Sequence, residues 1–327
     1  MVKIGIMSFA HIHANSYAAC LNALPGVSLA AIWDDNMARG RKAAKEYKTK
    51  FVKDLTDFLA SDIDGVIITS ENSKHREMVE AAAKARKWIL CEKPLAPTMK
   101  DAKSIVDTCR KAGVGLGTAF PCRFSTPLVE AKAMLNSGQY GEVYAVSCTN
   151  HGQYPGGWFA DTALSGGGAT MDHTVHVVDL LRWMLGKEFT SVYCELGNQL
   201  HGKSLKTDDL GSLHLEMDGG IQVSHLASWS RPKSFPTWGD VTMEFVCEGG
   251  LITVDAFNQK LTVFDDGNEE VRWENWGDNA DLALIKDFVD AVQSKCDPAS
   301  TGMDGFCATA VTEAAYKSAK TGKTVKI

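Results

Sequence analysis

With 327 residues, 45% of them apolar and 23% charged, the chain has ordinary soluble composition and enough length for two domains with substantial cores. A net charge of −6, spread without long blocks, argues against nucleic acid as a partner, and no apolar run approaches the roughly 20 residues of a membrane-spanning helix. The nine cysteines, an odd number without a Cys-x-x-Cys pair and with Cys91, Cys109 and Cys247 in apolar segments, are expected to be reduced core thiols rather than a disulfide framework or zinc site.

Taken in order, short apolar runs alternate with helical patterns through the first 120 residues. Val2 to Met7 reads as a buried strand that starts at once, leaving no room for a signal peptide, so a cytoplasmic protein is expected. Ala14, Tyr17, Ala18 and Leu21 then recur at helical spacing, Val27 to Trp33 is a second strand, and Val66 to Thr69 and Trp88 to Cys91 follow as further strands. A helix carrying Ala102, Ile105, Val106 and Cys109 precedes a strand over Val114 to Ala119. Strands alternating with helices predict a parallel, doubly wound α/β sheet. Beyond Arg123 the pattern changes to α+β: helices near Leu128 to Leu135 and Asp172 to Leu185, then alternation through Leu213, Leu215, Met217 and Ile221, Val223, His225, Ala227, Trp229 around an Asp218-Gly219-Gly220 hairpin turn. That predicts a large, mainly antiparallel sheet packed on helices, closed by one helix with Ile285, Phe288, Val289 and Val292 and another starting near Asp304. The domains are placed at 1–122 and 123–327. Because the alternating apolar residues cannot all face inward, the sheet is expected to bury its other face in a homodimer or homotetramer.

Two motifs carry the chemistry. Glu92-Lys93-Pro94 closes a strand, and Pro94 biases Lys93 towards an extended conformation. Gly166-Gly167-Gly168 runs into a helix in which Val177, Val178, Leu181 and Met184 line one side while Asp172, His176 and Asp179 share another. A carboxylate and an imidazole four residues apart on one face can meet a single small molecule, one orienting it and the other moving a proton.

At these motifs, at Arg123-Phe124, at Gly138-Gln139-Tyr140-Gly141-Glu142-Val143 and at the closing Ser318 to Val325, the chain resembles the Gfo/Idh/MocA family, with Thr174 in place of the usual glycine of the helix motif. The resemblance implies an N-terminal Rossmann domain for a dinucleotide, a C-terminal domain for substrate and oligomerisation, and hydride transfer between a nicotinamide and a secondary alcohol of a sugar, polyol or cyclitol. It implies Lys93, Asp172 and His176 as the catalytic set: His176 the general base, Lys93 the partner of the developing alkoxide, Asp172 the orienting group. It further implies a substrate pocket near Arg123, His151, Trp158 and Asp161, any of which could instead be structural; His173, which departs from the family pattern, is counted with them as a substrate contact. A metal held by Asp172, His173 and His176 is set aside, since base and lysine suffice and no third strong ligand is evident from spacing; no metal is expected.

The cofactor loop departs from the Rossmann fingerprint. Aligned on the strand end, Ser8-Phe9-Ala10-His11-Ile12-His13 lacks all three glycines, yet Ser8 and Ala10 are small, and His11 or His13 either donates to a phosphate or caps the helix. A degenerate domain that binds nothing is the alternative. Asp34, followed by Asp35 and by no immediate arginine, is placed to hold the adenosine ribose or else to make a turn; NAD is therefore favoured over NADP. Thr69, Ser70, Asn72 and His75 match the family's loop beside the nicotinamide half, with Glu92 and Lys93 completing the cofactor set, although Ser73 in that loop also suits a helix cap. Two other functions stay open: an NAD-retaining enzyme that cleaves glycosides or eliminates through transient oxidation, and a non-catalytic sensor of NAD or sugar.

Overall fold

In the computed structural model, which describes residues 1–202, 205–257, 260–275 and 278–327, the chain forms two compact units. The first comprises Met1–Pro121 and Asp281–Thr309, the second Cys122–Ala280 and Ala310–Ile327. The linear division after residue 122 thus meets a discontinuous arrangement in which a late segment returns to the first unit.

In the first unit β1 (Val2–Met7), α1 (His13–Ala23), β2 (Val27–Trp33), α2 (Met37–Glu46), β3 (Lys50–Phe51), α3 (Leu55–Ala60), β4 (Gly65–Ile68), α4 (His75–Lys84), β5 (Trp88–Glu92), α5 (Met99–Ala112) and β6 (Leu116–Ala119) alternate. All six strands are parallel in the order β3-β2-β1-β4-β5-β6. Strand order reverses between β1 and β4, which opens a crevice at the carboxyl ends of the strands where ligands bind in open α/β sheets. The near-continuous apolar runs Ile4, Ile6, Met7 and Val66, Ile67, Ile68 are fully buried, as expected of strands covered on both faces. Gly5 is required by packing: a Cβ there would lie 2.6 Å from the Phe58 ring of α3.

The second unit contains α6 (Thr126–Asn136), β7 (Val143–Gln153), α7 (Thr162–Ser165), α8 (Ala169–Leu185), β8 (Phe189–Gly197), β9 (Leu210–Met217), β10 (Ile221–Arg231), β11 (Thr242–Cys247), β12 (Gly250–Asp255), β13 (Lys260–Asp265) and β14 (Glu270–Asn275). Then come α9 (Ala280–Ser294) and α10 (Gly302–Thr321), which contribute to both units, and β15 (Val325–Lys326). Seven strands form one mixed sheet, β12-β11-β7-β10-β9-β8-β15, antiparallel except for the parallel pair β7 and β10.

The alternation read from sequence resolves onto a single face. Leu213, Leu215, Met217, Ile221, Val223, His225, Ala227 and Trp229 are all buried on the side covered by α8, where the Trp229 indole donates to Asp172. Their neighbours Ser212, His214, Glu216, Gln222, Ser224 and Leu226 point the other way, and that face is largely polar. A period of two thus places all the apolar residues read as alternating inward, and of the hairpin's outward positions named here only Leu226 is apolar. All nine cysteines are free and seven are buried, as expected of core thiols. Among the described residues no helix is long and apolar enough to cross a membrane.

His225 is the one imidazole in that apolar layer. It is 3% exposed, neither ring nitrogen finds a partner of normal hydrogen-bond geometry, and burial pushes its pKa down to about 3. The unfolded chain takes up a proton below about pH 6.5 that the folded chain refuses, so this group costs nothing above that pH and destabilises as pH falls towards 3. Urea melts at pH 7 and pH 5 are expected to differ by about 2 kcal/mol more in the parent than in His225→Leu, following ~1.4 kcal/mol for each pH unit.

Candidate active site

In the first unit the candidate cofactor residues begin where β1 ends. Ser8 takes the left-handed conformation (φ 74°) that a Rossmann loop ordinarily gives to glycine, and is held there by its N–H on the Trp33 carbonyl (2.7 Å) and by the Thr69 hydroxyl donating to its carbonyl (2.6 Å). The Ser8 Oγ accepts from the Ala10 N–H (3.2 Å), and the His11 N–H reaches the Thr69 carbonyl (2.9 Å). Helix α1 starts behind Ile12, whose side chain cannot cap the first amides. The first amides of α1 are met from within the loop, His13 N–H by His11 Nδ1 (3.2 Å) and Ala14 N–H by the His11 carbonyl (3.1 Å), while the left-handed turn made without glycine and the lone methyl at Ala10 leave the loop backbone open to a dinucleotide's pyrophosphate.

At the end of β2, Asp34 is buried, and each carboxylate oxygen accepts two bonds. Oδ1 takes the Asn36 N–H and Arg39 Nη2, both at 2.8 Å; Oδ2 takes the Phe9 N–H at 2.8 Å and Arg39 Nε at 2.9 Å. Arg39 also donates to Asp35 (2.9 Å) and Ser8 Oγ (3.0 Å), while Lys74 pairs with Asp35 and with Glu71 (3.1 Å). The absence of an arginine directly after the strand is thus offset in space: Asn36 caps α2, and the first turn of that helix brings Arg39 back over the carboxylates.

Of the loop after β4, Ser70 and Asn72 are buried, and His75 is fully enclosed, its ring nitrogens 3.0 Å from the Pro94 carbonyl and 3.3 Å from that of Ser70. Burial holds this imidazole below its ordinary pKa. His75 therefore ties the loop after β4 to the loop after β5. Glu92, with no solvent exposure, places Oε1 2.9 Å from His13 Nδ1 and accepts the Lys93 N–H on Oε2 (3.0 Å). Burial opposes its charge, yet His11 and His13 hold the carboxyl well below the usual range. Correspondingly, burial disfavours a charged His13, but the Glu92 carboxylate raises its pKa above the usual value. Of the two roles weighed for these histidines, phosphate contact or helix cap, His11 makes the cap, its Nδ1 accepting the His13 N–H (3.2 Å), and both rings lie near Glu92. Lys93 is 5% exposed.

In the second unit the glycine run is a close-packing device. Gly166 ends α7 in the left-handed region (φ 82°), and a Cβ on Gly168 would lie 1.9 Å from the Asp208 carbonyl oxygen. That approach lets the Asp208 carboxylate accept the Gly168 N–H (3.1 Å), the Thr170 N–H (2.8 Å) and the Tyr316 hydroxyl (2.7 Å), capping α8 from a distant loop. On α8, Asp172, His173, His176 and Asp179 are all buried. Asp172 Oδ2 accepts from Trp229 Nε1 (3.1 Å) and lies 3.3 Å from His173 Nε2. His173 Nδ1 is 2.8 Å from the Asn150 carbonyl. His173 therefore spans from β7 to Asp172. His176 has Nδ1 4.0 Å from the Cys122 thiol.

Other expected substrate contacts are engaged elsewhere. The Arg123 guanidinium grips Asp179 with two bonds, 2.7 and 2.5 Å, both groups buried. Asp161 caps α7 through the Ala163 N–H (2.9 Å). His151 lies on the sheet face opposite α8, 3.0 Å from Asp240, which Arg231 also holds; with Thr149 and Thr242 they line a cavity of about 270 Å³. The register explains this, since Asn150 and His151 are successive strand residues and must point oppositely. Trp158 stacks on Phe159 (3.9 Å between ring centroids) and packs with Trp229, while Tyr154 lies 5.5 Å from Trp229 and 4.5 Å from His201. From sequence, Trp229 reads only as a sheet residue, and local pattern does not mark Arg39, Tyr154, Asp208 or Tyr316 as part of a site. An aspartate after a glycine-bearing loop was the sole local sign of the Asp208 cap.

Residues 2–120 match the oxidoreductase family with NAD-binding Rossmann fold, and residues 128–253 match the GFO/IDH/MocA C-terminal domain. The chain belongs to the Gfo/Idh/MocA oxidoreductase family. Among its relatives, 1,5-anhydro-D-fructose reductase of Ensifer adhaerens is 30% identical over 81% of this chain and 80% of that protein. Myo-inositol 2-dehydrogenase of Thermotoga maritima is 26% identical over 100% of this chain and 98% of the relative. The solved structure of levoglucosan dehydrogenase in complex with NADH and levoglucosan shares the fold, with a TM-score of 0.84 at 22% identity, covering 100% of this chain and 99% of that one. As a family member the chain is an oxidoreductase acting on CH–OH groups through an NAD-binding Rossmann unit.

The cap on α8 is testable. Asp208→Ala strands the Thr170 amide and the Tyr316 hydroxyl and leaves the Gly168 N–H only the Tyr316 oxygen (2.9 Å), and is expected to cost about 2–4 kcal/mol in denaturant melts, with Tyr316→Phe costing about 1 kcal/mol.

Proposed function

We propose that this oxidoreductase interconverts a secondary alcohol and a ketone on a sugar, polyol or cyclitol, with residues 1–122 serving the dinucleotide and 123–327 the substrate. The observation that carries the reading is Asp172, fixed by the Trp229 indole and by His173 one helical turn from His176 and beside the aromatic wall of Trp158, Tyr154 and Trp229. Aromatic faces suit the apolar face of a sugar ring, and a locked carboxylate suits its hydroxyls. The names of the relatives, an anhydrofructose reductase and an inositol dehydrogenase, support the same class.

In this reading His176 accepts the hydroxyl proton on oxidation and returns it on reduction, its Nδ1 lying 4.0 Å from the Cys122 sulfur. Lys93, buried behind Glu92, stabilises the developing alkoxide. The nicotinamide, when bound, exchanges the hydride. Phe9, Ala10, Thr69 and Ser70 would flank the dinucleotide and Asp34 its adenosine ribose, Arg39 yielding one carboxylate oxygen to the sugar hydroxyls. NAD is the preferred cofactor, because Asp34, Asp35 and Glu71 set three carboxylates against the two cations Arg39 and Lys74, an excess of negative charge that disfavours a 2′-phosphate.

A panel of sugars and polyols with NAD and NADP, followed by reduced-nicotinamide absorbance, tests the reading. Lys93→Ala and His176→Ala are each expected to lower turnover by ~10²–10⁴ while NAD still binds. Near-normal kcat in either variant contradicts the roles assigned. Asp34→Ala is expected to weaken NAD by ~1.5–3 kcal/mol and erode its preference over NADP; equal affinities in the parent would refute the cofactor assignment.

A further inference from the structure

Family membership and the reaction leave one cluster unexplained. His11 and His13 stand in a loop that a Rossmann unit normally builds from glycine, and their rings meet edge to face at 4.3 Å between centroids and 67° between planes. Both turn towards Glu92 at the end of β5, and one ligand atom from each of the three side chains lies within 4.8 Å of the others. Two imidazoles and a carboxylate are a donor set that binds zinc with three protein ligands and keeps a coordination position open. The set is also held in place from outside. Glu92 Oε2 accepts the Lys93 N–H (3.0 Å), the His11 N–H is fixed on the Thr69 carbonyl (2.9 Å), His13 is the first residue of α1, and the Tyr17 hydroxyl lies 3.4 Å from His13 Nδ1. Such outer contacts orient metal ligands. Charge argues the same way, since Glu92 has no solvent exposure and a dication offsets a buried carboxylate more strongly than neutral imidazoles do.

We propose that His11, His13 and Glu92 form a site for a divalent transition metal of the zinc type. The expectation of no metal considered only Asp172, His173 and His176, on another element. Binding has an identifiable cost. The His13 N–H now donates to His11 Nδ1 (3.2 Å), which leaves the ring proton on Nε2; coordination through Nε2 moves that proton to Nδ1 and opens the contact. Ligand spacing must also widen slightly from the 2.9 Å between His13 Nδ1 and Glu92 Oε1, since two ligand atoms each about 2.0–2.2 Å from one zinc in a tetrahedral site lie further apart than a hydrogen bond.

The test uses the full chain, freed of metal by chelation and without nicotinamide cofactor or substrate, so its outcome is independent of the proposed reaction. Cobalt(II) reports through its visible absorption bands, and zinc through calorimetry and the thermal melt. One metal per chain is expected, with the bands of a site of fewer than six ligands and a rise in Tm. His13→Gln and, separately, His11→Gln are expected to weaken binding by at least ~100-fold, since outer-shell partners alone are worth 10–100-fold. Retained melts identify variants that still fold, and the exposed β9 residue His214, changed to Gln, should leave the titration unaltered. Absence of cobalt bands and of zinc heat at micromolar protein overturns the proposal. So does unchanged affinity in both folded His variants, or loss of binding in His214→Gln.

Discussion

A carboxylate with no access to water at the carboxyl edge of a parallel sheet is the constraint around which the first unit's site is built. Glu92 must find compensation inside the protein, because an isolated buried charge costs several kcal/mol. It takes the Lys93 N–H on one oxygen and His13 on the other, so the end of β5 is tied both to the residue proposed to face the alkoxide and to the first turn of α1. Two histidines in a glycine loop then have a structural reason. Their rings turn in to the carboxylate, which leaves Ser8 and Ala10, the small residues, along the loop backbone.

The same logic governs the second unit, with an aspartate in place of the glutamate. Asp208 caps α8 across a long loop, and the approach is possible only because Gly168 has no Cβ. Asp172 is then fixed by Trp229 and by His173, which braces it against β7. Asp179 is neutralised by Arg123. Every ionisable group along the α8 face therefore has an assigned partner or neighbour, and this rigidity is what a site needs if it is to hold one geometry.

How much of this was legible in the sequence depended on range. Strands such as Val2–Met7 and Val27–Trp33, the β9–β10 hairpin and the helices bearing Asp172 and Ile285 follow from local periodicity and were readable from it. The doubly wound parallel sheet and the Gfo/Idh/MocA family followed from alternation and from two motifs, except the two-residue edge strand β3, which is too short to show a pattern. What the sequence did not disclose is which side chains spend their polar atoms on one another. Arg123 and Asp179 are 56 residues apart, His151 and Asp240 are 89, and Arg39 reaches Asp34 only because a helix turn intervenes. Nor does alternation alone say which side of a sheet is apolar: a period of two puts Leu213 to Trp229 on the inner face, while the outer face carries Leu226, Val246 and Leu251 on β10, β11 and β12.

The account's central claim is that a loop without glycines still receives a dinucleotide, and calorimetric titration of the parent chain with NAD, beside Ala10→Val, tests it most directly. One NAD per chain is expected to bind the parent. The branched side chain at residue 10 should weaken that binding sharply while the thermal melt is preserved, since bulk there meets the pyrophosphate rather than the core. A folded parent that takes up no NAD, or a folded Ala10→Val that binds it unchanged, would contradict the claim.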